Sequence, residues 1–481
     1  MKKSILLIFL LCVVSFSFST NVVSVENAKK VSKNFLIERV GPTKASSMEI
    51  VLQQTEYDVE GGAIYYRFQV GQKGFIMISA TDVVTPVLAY SLESNYETIP
   101  GVDYICNQYK EGIKTAKKNA VVNKQVVDSW KYYTADQFIP VASKSRSITS
   151  VEPLVTTLWN QGKYFNTYCP YDIGAGTYSD NRVPVGCVAL TMVNIMYYYR
   201  YPVQPRGGIS YIPLNYDETT GELVNQYPRQ TVRFSDYTYN YDAMFNVVNT
   251  YDGELEKILY HAGVSNRMGY GPDGSGSISE EALEALKLYF KYSPDGTFEI
   301  KDNATTGDPL ISDSMWIDGF MKYELDAHRP LFYSGRGNAG GHAWIVDGYC
   351  NVEEQTYFHV NWGWGGSGNG FFLFGRFFDG SNDNFSNRES LMKNLYPDDS
   401  NAVKKPEISF VRNTASIGSI SDGAGHVKYA KNSDRKWMIA APNATSYEFN
   451  FYKIKTEKDH DYITIYNGPT EASGVKLKIS G

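Results

Sequence analysis

The stretch Arg182-Val-Pro-Val-Gly-Cys187-Val-Ala-Leu-Thr-Met-Val-Asn-Ile-Met196 changes character at its cysteine. Pro184 and Gly186 impose an irregular turn. From Val188 the residues are apolar nearly all round, without Gly or Pro, which is the pattern of a buried central helix. Cys187 then stands at the N-terminal end of that helix. Unpaired N–H groups and the helix dipole favour a thiolate there and lower its pKa. On this segment alone a second outcome stays open: a buried, inert thiol, the commonest state of a free cysteine.

A cysteine nucleophile needs a base, and the base needs a group that fixes its tautomer. Downstream, Gly340-Gly341-His342-Ala-Trp-Ile-Val-Asp-Gly348-Tyr-Cys350 reads as a strand beginning at His342. After the polar turn Asn351 to Gln355, Tyr357-Phe-His-Val-Asn361-Trp362 runs back as a hairpin. Two registers are open. A tight loop at Asn351-Val352 sets Asn361 opposite His342. A longer loop that pairs Cys350 with Thr356 sets Asn361 opposite Ile345. Both bring Asn361 to the His342 end, where the two residues can serve as base and orienting group. A core hairpin with a merely hydrogen-bonded histidine fits the same residues. Upstream, Leu158-Trp159-Asn160-Gln161 supplies a glutamine. A Gln side chain and the nucleophile's own N–H can form an oxyanion hole, although most loop glutamines are only solvated.

Around these segments the chain has 481 residues, 43% hydrophobic and 20% charged, so a folded chain is expected and wholesale disorder is not. Its length suggests roughly three domains. The formal charge is −6, from 46 Lys+Arg and 52 Asp+Glu, which argues against nucleic acid as the main partner. High aromatic content (14%, with 38 Tyr) and 41 Gly point to a β- and loop-rich protein. Lys2 and Lys3 precede an apolar run from Ile5 to Phe16 that ends in small residues, the layout of a secretory signal. The run is short of the about 20 residues a membrane span needs. Cys12 lies inside it, without the small residue that a lipid-attachment site wants just before its cysteine. Cys106, Cys169, Cys187 and Cys350 remain after export, too few for a disulfide scaffold. Cys169 and Cys350 are left either paired or free. With no C-x-x-C pair and scattered histidines, no metal site is expected.

Residues 1–20 are therefore read as a signal peptide. Residues 21–147 form a first α+β region, with helices over Val25 to Arg39 and Tyr104 to Lys118. Strands are expected at Ile64 to Val70, Phe75 to Ser79 and Val87 to Tyr90. The Ser- and Lys/Arg-rich stretch 142–150 is an exposed linker open to proteolysis. Residues 148–398 hold the chemistry, 399–420 a polar linker, and 421–481 short strands. Asn303, Asn384 and Asn443 sit in Asn-x-Ser/Thr triplets, a pattern frequent by chance.

The motifs together resemble the streptopain family of secreted cysteine proteases, a branch of the papain-like fold. The matching pieces are Trp159-Asn160-Gln161, Val185-Gly186-Cys187-Val188-Ala189, Asn194-Ile195-Met196, Tyr201-Pro202, Gly340-Gly341-His342-Ala343 with Asp347-Gly348, and His359-Val360-Asn361-Trp362-Gly363-Trp364-Gly365-Gly366. They span nearly the whole 148–398 unit in the family's order. The resemblance implies an α+β papain-like fold, with a helical part carrying the nucleophile and an antiparallel β part carrying His and Asn. By it, Cys187 is the nucleophile, His342 the general base and acid, Asn361 its orienting group and Gln161 an oxyanion donor. Trp362 shields the His–Asn pair from water, and Gly340 and Gly341 line the substrate cleft. No cofactor is implied. The implied partners are protein or peptide substrates and the chain's own pro-domain as an intramolecular inhibitor, within a secreted or cell-surface zymogen; the export signal also fits the periplasm. The pro-domain likeness rests on Gly74-Phe75-Ile-Met-Ile-Ser79 and Pro86-Val-Leu-Ala-Tyr90. Trp437-Met-Ile-Ala, Phe449-Asn-Phe451 and Asp461-Tyr-Ile-Thr-Ile-Tyr-Asn-Gly468 resemble part of a CUB-like β-sandwich, about half of one. The alternatives are another thiol acyl-transfer enzyme, such as a transglutaminase or amidase, or an inactive protease-fold adhesin.

Overall fold

Strand-forming residues recur between turn signals from position 50 onward, and in a computed structural model they fold as an antiparallel meander. The structure describes residues 22–119, 124–140, 150–216, 222–301, 310–337, 340–352, 355–374 and 389–398, with short pieces at 411–413, 437–439, 446–447, 449, 462–466 and 475–480. The export signal, positions 142–149 of the linker and the three Asn-x-Ser/Thr asparagines lie outside the described residues. So does most of the 399–481 end, including the greater part of the expected strand at Tyr447 to Ile454. Among the described residues, no helix is long and apolar enough to cross a membrane.

The chain divides into two compact units. The first comprises Met1–Asn160, Ala304–Asp308 and Gly335–Arg388. Its first helix, Val25–Val40, starts at Ser24, whose hydroxyl accepts the Asn27 N–H at 3.2 Å, and buries Ala28, Val31, Phe35 and Leu36 along one face. Strands Ile50–Tyr57, Ala63–Val70, Phe75–Ser79 and Val87–Ser91 follow, each antiparallel to the one before it. Phe75–Ser79 and Val87–Ser91 are buried at every position, so their apolar runs do not alternate. Helices Pro100–Asn119 and Lys124–Tyr133 close the N-terminal part, and the Trp130 indole donates to the Val84 carbonyl at 2.7 Å.

Within the same unit, strand Gly340–Val352 pairs with Gln355–Asn361, which pairs with Gly370–Leu373. Strand Ser150–Val151 lies on the other side of Gly340–Val352. Gly370–Leu373 pairs in turn with Val87–Ser91, through Phe371 opposite Tyr90 and Phe372 opposite Ala89. The N-terminal meander and the His342 hairpin are therefore one continuous sheet. Phe371 stacks on Tyr90 at 5.1 Å between centroids, the Tyr357 hydroxyl donates to the Val87 carbonyl at 2.8 Å, and the buried Tyr109 hydroxyl accepts the Leu373 N–H at 3.1 Å.

The hairpin settles its register with a bulge. Val352 opposes Gln355, so the turn is short; the extra residue, Asp347, then shifts the pairing so that Asn361 faces Ile345. At the Asn361 end this is the register of the longer loop.

The second unit contains helix Cys187–Tyr199, buried from Val188 to Tyr197, with helices Leu255–Ser265 and Ser279–Leu288. Strand Ser390–Lys393 pairs with Thr297–Ile300 on one side and with Tyr333 and Ser334 on the other. Lys301 is buried between Asp313 and Glu389, each 3.0 Å away, and Arg329 makes a two-pronged pair with Glu324 at 2.6 and 3.0 Å. Of the C-terminal stretch, Ile463–Tyr466 pairs antiparallel with Val475–Ile479, and Val411–Asn413 pairs parallel with Trp437–Ile439.

Candidate active site

Cys187 occupies the first turn of its helix, as its sequence implies. The preceding Gly186 has φ +89° and no side chain to cap the helix, so the first-turn N–H groups keep their positive end toward the thiol. Only glycine fits there. A Cβ would stand 2.6 Å from Met268 Cε and 2.9 Å from the Ser275 carbonyl oxygen. Cys187 is half-buried, and its carbonyl accepts the Thr191 hydroxyl at 2.8 Å. Gln161 is tied to the same turn: its carbonyl accepts the Val185 N–H at 3.0 Å. Both residues belong to the second unit.

His342, Asn361 and Trp362 belong to the first unit and come together at one end of the hairpin. All three are buried, at 8%, 3% and 0% exposure. His342 Nε2 lies 2.9 Å from the Trp362 carbonyl oxygen. The Asn361 amide donates to the Thr157 carbonyl at 2.7 Å, and its oxygen accepts the Gly363 N–H at 3.1 Å. Indole rings surround the imidazole, with Trp344 at 5.9 Å and Trp364 at 6.0 Å. The Trp362 indole N–H is held by the Gly368 carbonyl at 3.1 Å. Burial drives the His342 pKa down to about 4, and the bond to the Trp362 carbonyl offsets this only in part. His342 is thus neutral and engaged with backbone. Gly341 is exposed at the start of the strand that leads to His342, and Gly340 is that strand's first residue.

The Pro100–Asn119 helix covers this cluster. A Cβ on Gly101 would fall 2.2 Å from Trp362 Cε3 and 3.1 Å from His342 Cδ2, so the helix backbone rests directly on both rings. Ile99 and Val102 flank Gly368, and Tyr104 packs against Gly335 and, at 5.7 Å, against Trp344. The N-terminal stretch thereby covers the His342 and Trp362 rings.

Several participants carry no local sequence signal. Gly101 and Glu93 lie far from their partners in the chain. Asp347 sits at the bulge, fully buried, with its carboxylate 2.6 Å from His359 Nδ1 and accepting the Val155 N–H at 2.7 Å. His359 lies two residues before Asn361 and so on the same face of its strand; that spacing, and the place of Asp347 and His359 in the quoted motifs, are the readable hints. None of the four described cysteines forms a disulfide. Cys350 lies 3.1 Å from the Tyr90 hydroxyl, and Cys106 lies 3.6 Å from that of Tyr96. Among the described residues, no group of three or more His, Cys, Asp or Glu is arranged to hold a metal ion.

Residues 159–372 match the peptidase C10 family, and residues 20–113 match the Spi protease inhibitor family. The chain is 28% identical over 367 residues to the thiol protease/hemagglutinin PrtT of Porphyromonas gingivalis, covering 72% of this chain and 38% of that protein. It is 26% identical over 366 residues to streptopain of Streptococcus pyogenes serotype M1, covering 72% of this chain and 84% of that one. The chain thus spans well under half of the first relative and most of the second. The structure of a prointerpain A fragment from Prevotella intermedia superposes with a TM-score of 0.53 at 23% identity, covering 73% of this chain and all of that one, and so shares the fold. Residues 159–372 thus carry the pattern of the peptidase C10 family, and residues 20–113 ahead of them that of the Spi protease inhibitor family.

Proposed function

We propose that the chain is an exported cysteine endopeptidase made as a zymogen, in which residues 21–147 are the inhibitory pro-domain and 148–398 the catalytic domain. The observation that carries the reading is the seating of Gly101 on His342 and Trp362, an inhibitor-like helix packed on the candidate base. Residues 1–20 direct export to the surface or medium, and cleavage in 142–150 separates the domains. Residues 421–481 are a CUB-like end beyond the 399–420 linker.

Once the helix leaves, His342 turns from the Trp362 carbonyl toward Cys187, and Asn361 fixes its tautomer. His342 takes the thiol proton, and the thiolate attacks the peptide carbonyl. The developing oxyanion is held by the Gln161 amide and the Cys187 N–H. Its collapse breaks the C–N bond, and His342 returns the proton to the departing amine. Water, deprotonated by His342, then attacks the thioester and releases the acid and the thiol. Trp362 keeps water from the His342–Asn361 bond, while Gly340 and Gly341 let the substrate backbone approach. After nicking within 142–149, a thiol-directed epoxide should form one adduct per chain, on Cys187, and hydrolysis of an unfolded protein should stop in proportion. Absence of that adduct, or amine incorporation outpacing hydrolysis, would overturn the reading.

The hold of the pro-domain should weaken in mild acid. A released His342 titrates near 6.5, whereas the packed one refuses a proton down to about 4. The released state therefore binds more protons as pH falls between these values, and each pH unit favours release by up to about tenfold. His359 does not oppose this trend. Burial disfavours its charge, but Asp347 and Glu93 lift its pKa to about 10, so its contribution is fully present below 6.5. Release of a nicked pro-domain, followed from pH 6.5 to 4.5, should accelerate; a flat profile would contradict the assignment.

A further inference from the structure

The N-terminal part grips the hairpin at a second place, apart from His342. Glu93 Oε1 lies 2.7 Å from His359 Nε2, while His359 Nδ1 lies 2.6 Å from Asp347 Oδ1. His359 is 3% exposed and Asp347 fully buried, whereas the Glu93 side chain is 56% exposed. Because the Val155 N–H already occupies the second Asp347 oxygen, the pair offers the outside one charged donor, the Nε2–H of His359. Phe371 packs against the imidazole at 5.1 Å.

The residues beside Glu93 are held mostly on backbone groups of the Gly366–Phe372 edge. Tyr90 and Ala89 pair with Phe371 and Phe372, the Ser94 hydroxyl donates to the Gly366 carbonyl at 2.7 Å, and the Gly368 N–H donates to the Asn95 carbonyl at 3.2 Å. Residues 89–95 thus lie as a peptide along Gly366–Phe372. Beside the Tyr90 ring and the Ser94 hydroxyl, the charged side chain that enters recognition is Glu93, where a carboxylate meets a cation backed by a buried acid. His359, Asp347 and the Gly366–Phe372 edge all fall in the peptidase match, while Glu93 falls in the inhibitor match.

We propose that His359, backed by Asp347, is a carboxylate-accepting site of the protease region for peptides laid along Gly366–Phe372. Glu93 is its occupant in the full chain. After the pro-domain leaves, the site accepts an Asp or Glu side chain of a polypeptide following the same path. This rests on the reading of residues 21–147 as a removable inhibitor. The site differs from the Gly101 wedge in what it does: the wedge blocks His342, and the seat adds affinity and selects an acidic residue.

The test uses the full chain with Cys187→Ala, nicked within 142–149 by an added Lys/Arg-specific protease, so that binding is read without any action of Cys187. Size exclusion measures how much N-terminal fragment stays bound. Glu93→Gln should weaken retention about tenfold, a modest factor because Glu93 is half exposed. The peptide Tyr-Ser-Leu-Glu-Ser-Asn-Tyr, the sequence of residues 90–96, should displace the fragment at about tenfold lower concentration than its Gln counterpart. His359→Gln should abolish the difference between the two peptides. Equal displacement by both peptides on the His359 chain, or unchanged retention by Glu93→Gln, overturns the site. If nicked wild type carrying Cys187 neither takes up the epoxide nor hydrolyses protein while the peptides still differ, the zymogen reading fails and the site stands.

Discussion

Wild-type chain lacking residues 1–20, held at neutral pH, should lose about 125 residues from its N-terminus over time, while the Cys187→Ala variant keeps its full mass. Peptide cleavage by the variant should fall by roughly 10⁵-fold or more, since removing the nucleophile of such a triad abolishes the covalent route. The expectation follows from the site itself. Gly186 leaves the helix end uncapped at Cys187, and no neighbour in that turn can replace a thiolate. The variant removes one sulfur from a half-buried position, so its melting temperature should stay close to that of wild type. Self-processing by Cys187→Ala at the wild-type rate would move the nucleophile elsewhere. If both chains stay whole, trimming with an added protease separates a chain activated by another protease from a silent site: an active Cys187 then takes up the epoxide and a silent one does not.

Much of this is legible in the sequence, and the reasons are local. The run after Cys187 reads as a buried helix because it is apolar nearly all round and lacks Gly and Pro. His342 and Asn361 could be paired because a hairpin needs only a turn and two apolar runs. The helix at Val25 and the strands at Ile64, Phe75 and Val87 emerged within one or two residues of their expected bounds. The Ile50–Tyr57 strand was not read: after Ile50 every residue is at least partly exposed, as on a sheet edge, so no alternation marks it. Lys124–Tyr133 also went unread, although Val126, Trp130 and Tyr133 recur at helical spacing. The hairpin register turned on one bulge at Asp347, which a one-dimensional pattern cannot place. Least legible was what holds the site latent. Glu93 and His359 are 266 residues apart, and the glycine that presses on His342 lies ahead of the helix expected from Tyr104, which in the structure starts at Pro100.

That glycine gives the other large effect. Gly101→Val should shorten the delay before self-processing by about 10- to 100-fold. The inserted Cβ would lie 2.2 Å from a fully buried indole and 3.1 Å from the imidazole, an overlap that no rotamer of the new side chain relieves. Trp362 cannot retreat, because its indole N–H is fixed on the Gly368 carbonyl and its ring packs on Trp344 at 5.1 Å and Phe372 at 5.3 Å. Such overpacking costs about 1–3 kcal/mol, and each 1.4 kcal/mol is tenfold in the hold of the pro-domain. The helix must therefore lift, and the same movement frees His342. Gly101→Val in the Cys187→Ala background should release the nicked N-terminal fragment faster to the same degree, with the protease region's melting temperature unchanged after release. The exposed Lys118→Ala on the same helix serves as control and should match wild type. A Gly101→Val chain that self-processes no faster than wild type would show that the contact on His342 does not maintain latency. An accelerated chain in which Glu93→Gln adds a further, independent factor would show that blocking and gripping are separate functions of one short segment, the first acting on His342 and the second on His359.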